Sequence, residues 1–214
     1  MPRPPKTSRP SVGLETRQAA TALIAGVVED RRPLDALLDD GATGLDRLGD
    51  RDRRLARAIA AMALRHHGEI DAALSAMITR RPRKAGRLFR ILETAAAQIL
   101  FMDVPDHAAV STAMDQVAAD KDGRHFRGLA NAVLRRMTRE RDAIVAASDA
   151  PRSNTPDWLW TRWSKAYGEE TARRIAEAHL IEPSLDLTVR DPAESRAFYA
   201  AVLGFFGYRL AAEH

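Results

Sequence analysis

The stretch GLANAVLRRMTRE at positions 128–140 predicts an amphipathic helix. Its apolar side chains, with one residue just before it, recur at the three- and four-residue spacing of a single helix face. They are Phe126, Leu129, Ala130, Val133, Leu134 and Met137. Arg127, Asn131 and Arg135 fall on the opposite side. The pattern predicts a helix that buries one face in a core, and we expect it to run to about Ala147.

The same spacing recurs in the preceding sequence, with apolar stripes that begin near Leu14, Leu55, Ile70 and Leu88. About seven such helices with short connections predict an all-α domain, a helical bundle, over residues 12–147. The composition agrees, because 6% aromatic residues and few β-branched residues favour helices over a large sheet.

The segments outside this domain differ from it in composition. Residues 1–11 are rich in Pro, Arg and Ser and predict a flexible basic arm. Residues 148–156, SDAPRSNTP, predict a linker, and residues 157–183 a helical connector. Residues 184–214 open with the alternating pattern SLDLTVR, which predicts a strand followed by a helix. One strand and one helix make an incomplete fold, so we expect a truncated tail.

The basic residues are concentrated in the first part of the chain. Residues 1–150 contain 25 Lys/Arg and 20 Asp/Glu, whereas residues 151–214 contain 8 and 9. This balance favours an anionic partner, nucleic acid first and an anionic membrane surface second. The alternative is an arginine-rich composition that has no functional meaning.

Several classes of protein are excluded or disfavoured by what the sequence lacks. With 0 Cys, the chain has no disulfide, cysteine zinc site or cysteine nucleophile. No apolar run reaches the ~18 residues of a membrane span, and the basic start is not followed by a secretory signal. We therefore expect a cytoplasmic protein without membrane contact. No phosphate-binding glycine loop, nucleophile elbow or carboxylate pair is present, so the residues predict no catalytic, metal or cofactor site.

The strongest candidate for binding is TRRPRKAGRLFR at 79–90, which holds six cations and no acid. We predict it at the start of a helix, where the helix dipole favours anions and disfavours cations. Such a cluster gains most when phosphates lie among its charges. We expect the RNA contacts to come mainly from Arg81, Arg83, Lys84 and Arg87. A solvated charged face is the alternative.

Two further groups of cations are weaker candidates for RNA contact. Arg9 in the arm and Arg17 on the first helix are expected to adjoin the main cluster. Arg135 and Arg136 lie on the helix quoted above, where local ion pairing, for instance with Glu140, is the alternative.

Histidine and tryptophan side chains favour structural roles. His66 and His67 have no partner at metal-ligand spacing, so satisfied or solvent-facing histidines are expected. Trp158, Trp160 and Trp163 are able to stack on bases. Packing between the connector and the domain is the simpler interpretation.

Two runs of sequence resemble a known family. RILETAAAQILFMDVPDHAAVSTAMDQVA at 90–118, followed by GLANAVLRRMTRE at 128–140, resembles a helical RNA-binding domain. The NusB transcription antitermination factor and the N-terminal part of Sun/Fmu-type 16S rRNA cytosine-C5 methyltransferases share this domain. The resemblance covers roughly residues 12–147, and residues 155–189 look like the linker that leads into the methyltransferase half.

The resemblance implies an RNA-binding module of such a methyltransferase, with 16S rRNA as its partner. A complete family member uses S-adenosylmethionine and a cysteine nucleophile that attacks the pyrimidine ring. This chain has no cysteine, so we expect no bound cofactor and no methyl transfer by the chain alone. A separate catalytic or ribosomal protein is then a candidate partner. The alternative is a NusB-like transcription antitermination or protein-docking factor.

Overall fold

A computed structural model of the protein describes residues 13–183. Within this range the regular structure is helical and contains no strand, which confirms the all-α prediction. The predicted arm at 1–11 and the predicted tail at 184–214 lie outside the described residues. The helices are α1 Leu14–Val28, α2 Leu34–Leu38, α3 Asp50–Arg65, α4 His67–Met77, α5 Leu88–Phe101, α6 Asp106–Ala119, α7 Arg127–Arg139, α8 Arg141–Ala146, α9 Ala150–Ser153, α10 Asp157–Tyr167 and α11 Glu169–Leu180.

Helix α5 lies at the centre of the bundle and packs against α1, α3, α6 and α7. Every residue from Ile91 to Leu100 is buried, as expected for a helix surrounded by others. Leu88, Leu92 and Ile99 are completely buried, and burial of each such side chain contributes about 1.5–3 kcal/mol. The position of α5 fixes the loop that precedes it, which contains most of the candidate cations.

The predicted apolar face of α7 is the buried one. Ala130, Val133, Leu134 and Met137 are all buried in the common core. The predicted continuation to about Ala147 is wrong, because α7 ends at Arg139 and a separate helix, α8, follows. The backbone leaves helical geometry at Glu140, and Ile144 of α8 packs against the core.

The predicted helical start at residues 79–90 is also wrong. Residues 79–87 form a loop, and α5 begins only at Leu88. Pro82 disfavours helical geometry in the residue before it. Gly86 has a φ of 55°, in the left-handed region that favours glycine. The candidate cations are therefore presented by a loop rather than by the first turn of a helix.

Residues 148–156, predicted as a linker, are packed on the bundle and contain the short helix α9, which contacts α4 and α11. The Glu69 amide donates to Asn154 Oδ1 at 3.1 Å, and Asn154 Nδ2 donates to Glu69 Oε2 at 2.7 Å. A Cβ on Gly68 would lie 1.8 Å from the Ser153 carbonyl oxygen. A glycine is therefore needed for this close approach of α9 to α4.

Candidate nucleic-acid interface

The loop at residues 79–87, here called the basic loop, presents cations that are free to bind an anion. Arg83 and Lys84 are exposed, and their side chains have no hydrogen bond or ion pair with any described residue. Arg87 is also exposed, and it lines a cavity of about 270 Å³ between α1, α5 and α6. Because none of the three side chains forms an ion pair with a described acid, their charge remains available to a partner.

The side chain of Asp120 holds the basic loop against the connection between α6 and α7. This connection, residues 120–126, includes the 3-10 helix Gly123–Phe126 and is called the second loop. One carboxylate oxygen accepts from the Arg87 amide at 3.2 Å, and the other accepts from the amides of Asp122 at 3.1 Å and Gly123 at 2.5 Å. A Cβ on Gly86 would lie 2.0 Å from Asp120 Oδ1, so only glycine allows this contact. The two loops therefore form one continuous surface.

The second loop adds two cations that the sequence interpretation missed. Lys121 and Arg124 are exposed, and their side chains have no partner within the described part of the chain. Asp122 in the same loop is exposed and offsets part of the charge. The resulting cluster is called the basic surface and consists of Arg83, Lys84, Arg87, Lys121 and Arg124.

Arg81 is tied to the bundle although it belongs to the basic loop. Its guanidinium donates to Asp71 Oδ1 and to Ser75 Oγ, each at 2.8 Å, and lies 5.2 Å from the centroid of the Phe89 ring. These contacts fix the loop against α4 and neutralise the charge of Arg81. We therefore leave Arg81 out of the basic surface.

Arg17 is buried rather than exposed, with 8% of its surface accessible. Its Nε donates to Gln98 Oε1 at 3.0 Å, within the contact between α1 and α5. Burial lowers the pKa of Arg17, and the charge of Asp52 partly counters that effect. A side chain in this position cannot reach a phosphate on the surface, so the structure does not support Arg17 as an RNA contact.

The remaining candidates are paired or lie outside the described residues. Arg135 Nε donates to Asn131 Oδ1 at 3.1 Å, and Arg136 Nε donates to both carboxylate oxygens of Glu140 at 2.9 and 3.0 Å. The alternative of local pairing thus applies to Arg136. Arg9 lies outside the described residues.

A buried ionic cluster joins the end of α1 to α4 and α5. Glu93 is 1% exposed, receives a hydrogen bond from His67 at 2.5 Å, and forms an ion pair with Arg90. Arg90 Nε lies 3.4 Å from Glu29 Oε1. One cation of the stretch at 79–90 is therefore internal and contributes to stability, not to the basic surface.

His66 has a structural role next to this cluster. Its ring stacks on Phe101 with centroids 3.9 Å apart, and its Nδ1 lies 2.7 Å from Glu69 Oε2. Burial alone would raise the pKa of Glu69, but hydrogen bonds from His66 and Asn154 lower it.

Within residues 13–183 no group of three potential ligands is placed to hold a metal ion. No helix in the same range is long and apolar enough to cross a membrane.

The contact between His67 and Glu93 predicts a pH-dependent contribution to stability. The hydrogen bond to Glu93 raises the pKa of His67, so its stabilising contribution is complete below the unfolded value of about 6.5 and is lost as the pH rises through the higher folded value. We expect His67→Gln to abolish that decline in the free energy of unfolding. The effect should not exceed about 1 kcal/mol, because the His67 side chain is 40% exposed. Urea denaturation between about pH 5.5 and 8.5 measures it.

His107 supplies the matched control, since it is exposed and has no partner among the described residues. His107→Gln should leave the decline unchanged. An unaltered pH profile in His67→Gln would contradict the assignment to the His67–Glu93 contact.

A helical bundle with unpaired cations on two adjoining loops defines a small helical domain with an exposed, positively charged surface. The chain belongs to the NusB family, which it matches over residues 14–139.

Similar proteins are longer than this chain. The ribosomal RNA small subunit methyltransferase B of Pasteurella multocida is 28% identical over 195 residues, which is 90% of this chain and 42% of that protein. The protein of the same name from Escherichia coli O1:K1 is 29% identical over 197 residues, with 90% and 44% covered. That from Vibrio cholerae O1 is 29% identical over 194 residues, with 89% and 44% covered. The chain thus spans less than half the length of these relatives.

These matches reach into the connector at residues 157–183. A match that leaves out only about a tenth of the chain necessarily contains α10 and α11, which lie beyond the NusB match. The similarity to the methyltransferases therefore extends past the NusB domain itself.

Proposed function

We propose that this chain is the RNA-binding module of a Sun/RsmB-like rRNA methyltransferase and that it binds 16S rRNA through the basic surface. The observation that carries the proposal is the position of Arg83 and Lys84, exposed and unpaired on a NusB-family domain. Lys121 and Arg124 extend the same surface. The similarity to methyltransferases across α10 and α11 favours this branch over a NusB-like antitermination or docking factor.

The chemistry of the basic surface suits the phosphate backbone more than base edges. It consists of guanidinium and ammonium groups, which pair with phosphate oxygens. The loops that present these groups are held by Asp120, so the charges are arranged before RNA arrives. Such a surface recognises the shape of a folded RNA through the spacing of its phosphates.

Methyl transfer is proposed to need residues beyond those of this chain. The family resemblance implies S-adenosylmethionine and a cysteine nucleophile, and the chain contains 0 Cys. Residues 13–183 contain no strand and no glycine-rich turn at a strand end, so they do not fit a nucleotide-type cofactor. We assign this chain the recognition of RNA, and we expect the cofactor and the catalytic cysteine in a longer or separate polypeptide.

Binding to a folded fragment of 16S rRNA is expected to weaken steeply with salt. If the five cations of the basic surface each neutralise a phosphate, the affinity should fall by about two to three orders of magnitude between roughly 50 and 200 mM salt. Fluorescence anisotropy with a labelled fragment measures this dependence.

The full 214-residue chain is the protein to use. No binding at the lower salt concentration would contradict the proposed function. Capture of a ribosomal or antitermination protein that persists after nuclease treatment, without RNA binding, would support the docking factor instead.

A further inference from the structure

Helix α10 leaves one tryptophan open to solvent. Trp158 is 66% exposed. By contrast, Trp160 lies under the Arg152 guanidinium at 5.3 Å, and Trp163 packs against His179 with ring centroids 5.4 Å apart. These contacts join Trp160 to the segment 148–156 and Trp163 to α11 within the connector, so packing between the connector and the domain stays a prediction for them. Trp158 has no such contact among the described residues.

Two free cations share the side of α10 on which Trp158 lies. Arg162 and Lys165 follow it by four and seven positions, which places all three on one helix face. Both are exposed and have no partner among the described residues. Asp157, the acid in α10, forms an ion pair with Arg152 and leaves the two cations unneutralised. Trp158, Arg162 and Lys165 are called the α10 face.

The α10 face fits a nucleotide better than an apolar protein surface. It offers a single large apolar group, whereas a protein interface gathers several such groups into a contiguous patch. The indole ring provides a plane on which a base stacks. The two cations, one and two helical turns after Trp158, attract the phosphates next to that base. A base in a duplex is already stacked, so the ring needs an unpaired base.

We propose that the α10 face binds an unpaired nucleotide of the bound RNA, with the base stacked on Trp158 and flanking phosphates held by Arg162 and Lys165. This inference rests on the proposed RNA binding and adds a second contact, for single-stranded RNA, to the phosphate contacts of the basic surface. The connector then takes part in recognition in addition to joining segments of the chain.

The test uses two RNAs, a blunt duplex and the same duplex with a single-stranded extension of about six nucleotides. Wild-type chain should bind the extended RNA more tightly. Trp158→Ala should weaken that binding by about five- to a hundredfold, the range seen for loss of one stacked base, and leave the blunt duplex unaffected. Trp158→Phe should retain most of the affinity, because a ring remains.

Tyr167→Ala is the matched control. Tyr167 is also a strongly exposed aromatic, 61% accessible, but nine positions further it lies about 180° around the helix from Trp158. It should bind both RNAs as the wild type does. Arg162→Glu with Lys165→Glu provides an independent variant, which should lose the preference for the extended RNA without any change in the aromatic residues.

Separate outcomes distinguish this inference from the proposed function. Equal affinity of Trp158→Ala and wild type for the extended RNA, with binding to both RNAs intact, would overturn the inference alone; the α10 face would then belong to another contact. If the wild-type chain binds neither RNA, the proposed function fails, and the inference fails with it.

Discussion

Reversal of Arg83 and Lys84 to glutamate (R83E/K84E) is expected to weaken binding of the 16S rRNA fragment by roughly a hundredfold or more at about 100 mM salt. The variant removes two attractive contacts and replaces each with repulsion, and an exposed ion pair contributes up to about 1 kcal/mol. Both side chains are exposed and without partners in the described structure, so the free energy of unfolding should change by less than about 0.5 kcal/mol. Anisotropy titration and thermal unfolding measure the two quantities.

The double variant R54E/R57E controls for net charge. Arg54 and Arg57 on α3 are likewise exposed and unpaired in the described part of the chain, and their reversal changes the charge by the same amount. We expect R54E/R57E to weaken RNA binding several-fold at most, because it lowers the overall positive potential of the protein without removing a direct contact. An equal loss in the two double variants would show that only total charge matters and that the basic surface has no special position.

Replacement of Glu93 by alanine is expected to lower the free energy of unfolding by about 3–5 kcal/mol. Glu93 is 1% exposed and neutralises Arg90, whose side chain is 11% exposed. Its removal leaves the Arg90 guanidinium buried, and the half-exposed carboxylate of Glu29 at 3.4 Å is then its one ion-pair partner among the described residues. A typical domain has 5–15 kcal/mol of total stability, so the loss should be large in urea denaturation.

Glu140→Ala supplies the comparison for an exposed ion pair. Glu140 pairs with Arg136 at 2.9 Å, but the two side chains are 40% and 48% exposed. Its removal should cost no more than about 0.5 kcal/mol. If Glu93→Ala costs no more than Glu140→Ala, the cluster around Glu93 is solvated and does not stabilise the junction as described.

The sequence predicted the helices well where the signal is local. The apolar face of α7 was predicted from spacing alone, and Val133, Leu134 and Met137 are buried as expected. Periodicity succeeds because residues three and four positions apart lie on the same face of a helix, so their spacing in the sequence shows which residues are buried together. It fails at boundaries, and the end of α7 at Arg139 depends on how α8 packs against the core.

The candidate site was predicted only in part, because its composition depends on tertiary contacts. Arg83 and Lys84 were found as a charge cluster within one segment. Lys121 and Arg124 were missed because Asp120 brings their loop to the basic loop from more than thirty positions away. A count of charges also does not show which way a side chain points. Arg17 was predicted to be an RNA contact, although it is buried.

The buried cluster around Glu93 also shows that the sequence does not reveal which charged residues face the interior. Arg90 belongs to the cationic stretch that predicted RNA binding, but it faces inward, toward Glu93. The sequence carries one signal that is consistent with this, since Glu93 lies three positions after Arg90, a spacing at which helical side chains meet. Nothing local shows that the pair is inside the protein.

The number of phosphates bound at the basic surface is the most direct measure of the central claim. The slope of the logarithm of the association constant against the logarithm of salt concentration reports it, because each neutralised phosphate releases counterions. We predict that R83E/K84E lowers the magnitude of that slope by about two relative to wild type, and that R54E/R57E leaves it unchanged. An identical slope in wild type and R83E/K84E would contradict the claim that this chain holds RNA through Arg83 and Lys84.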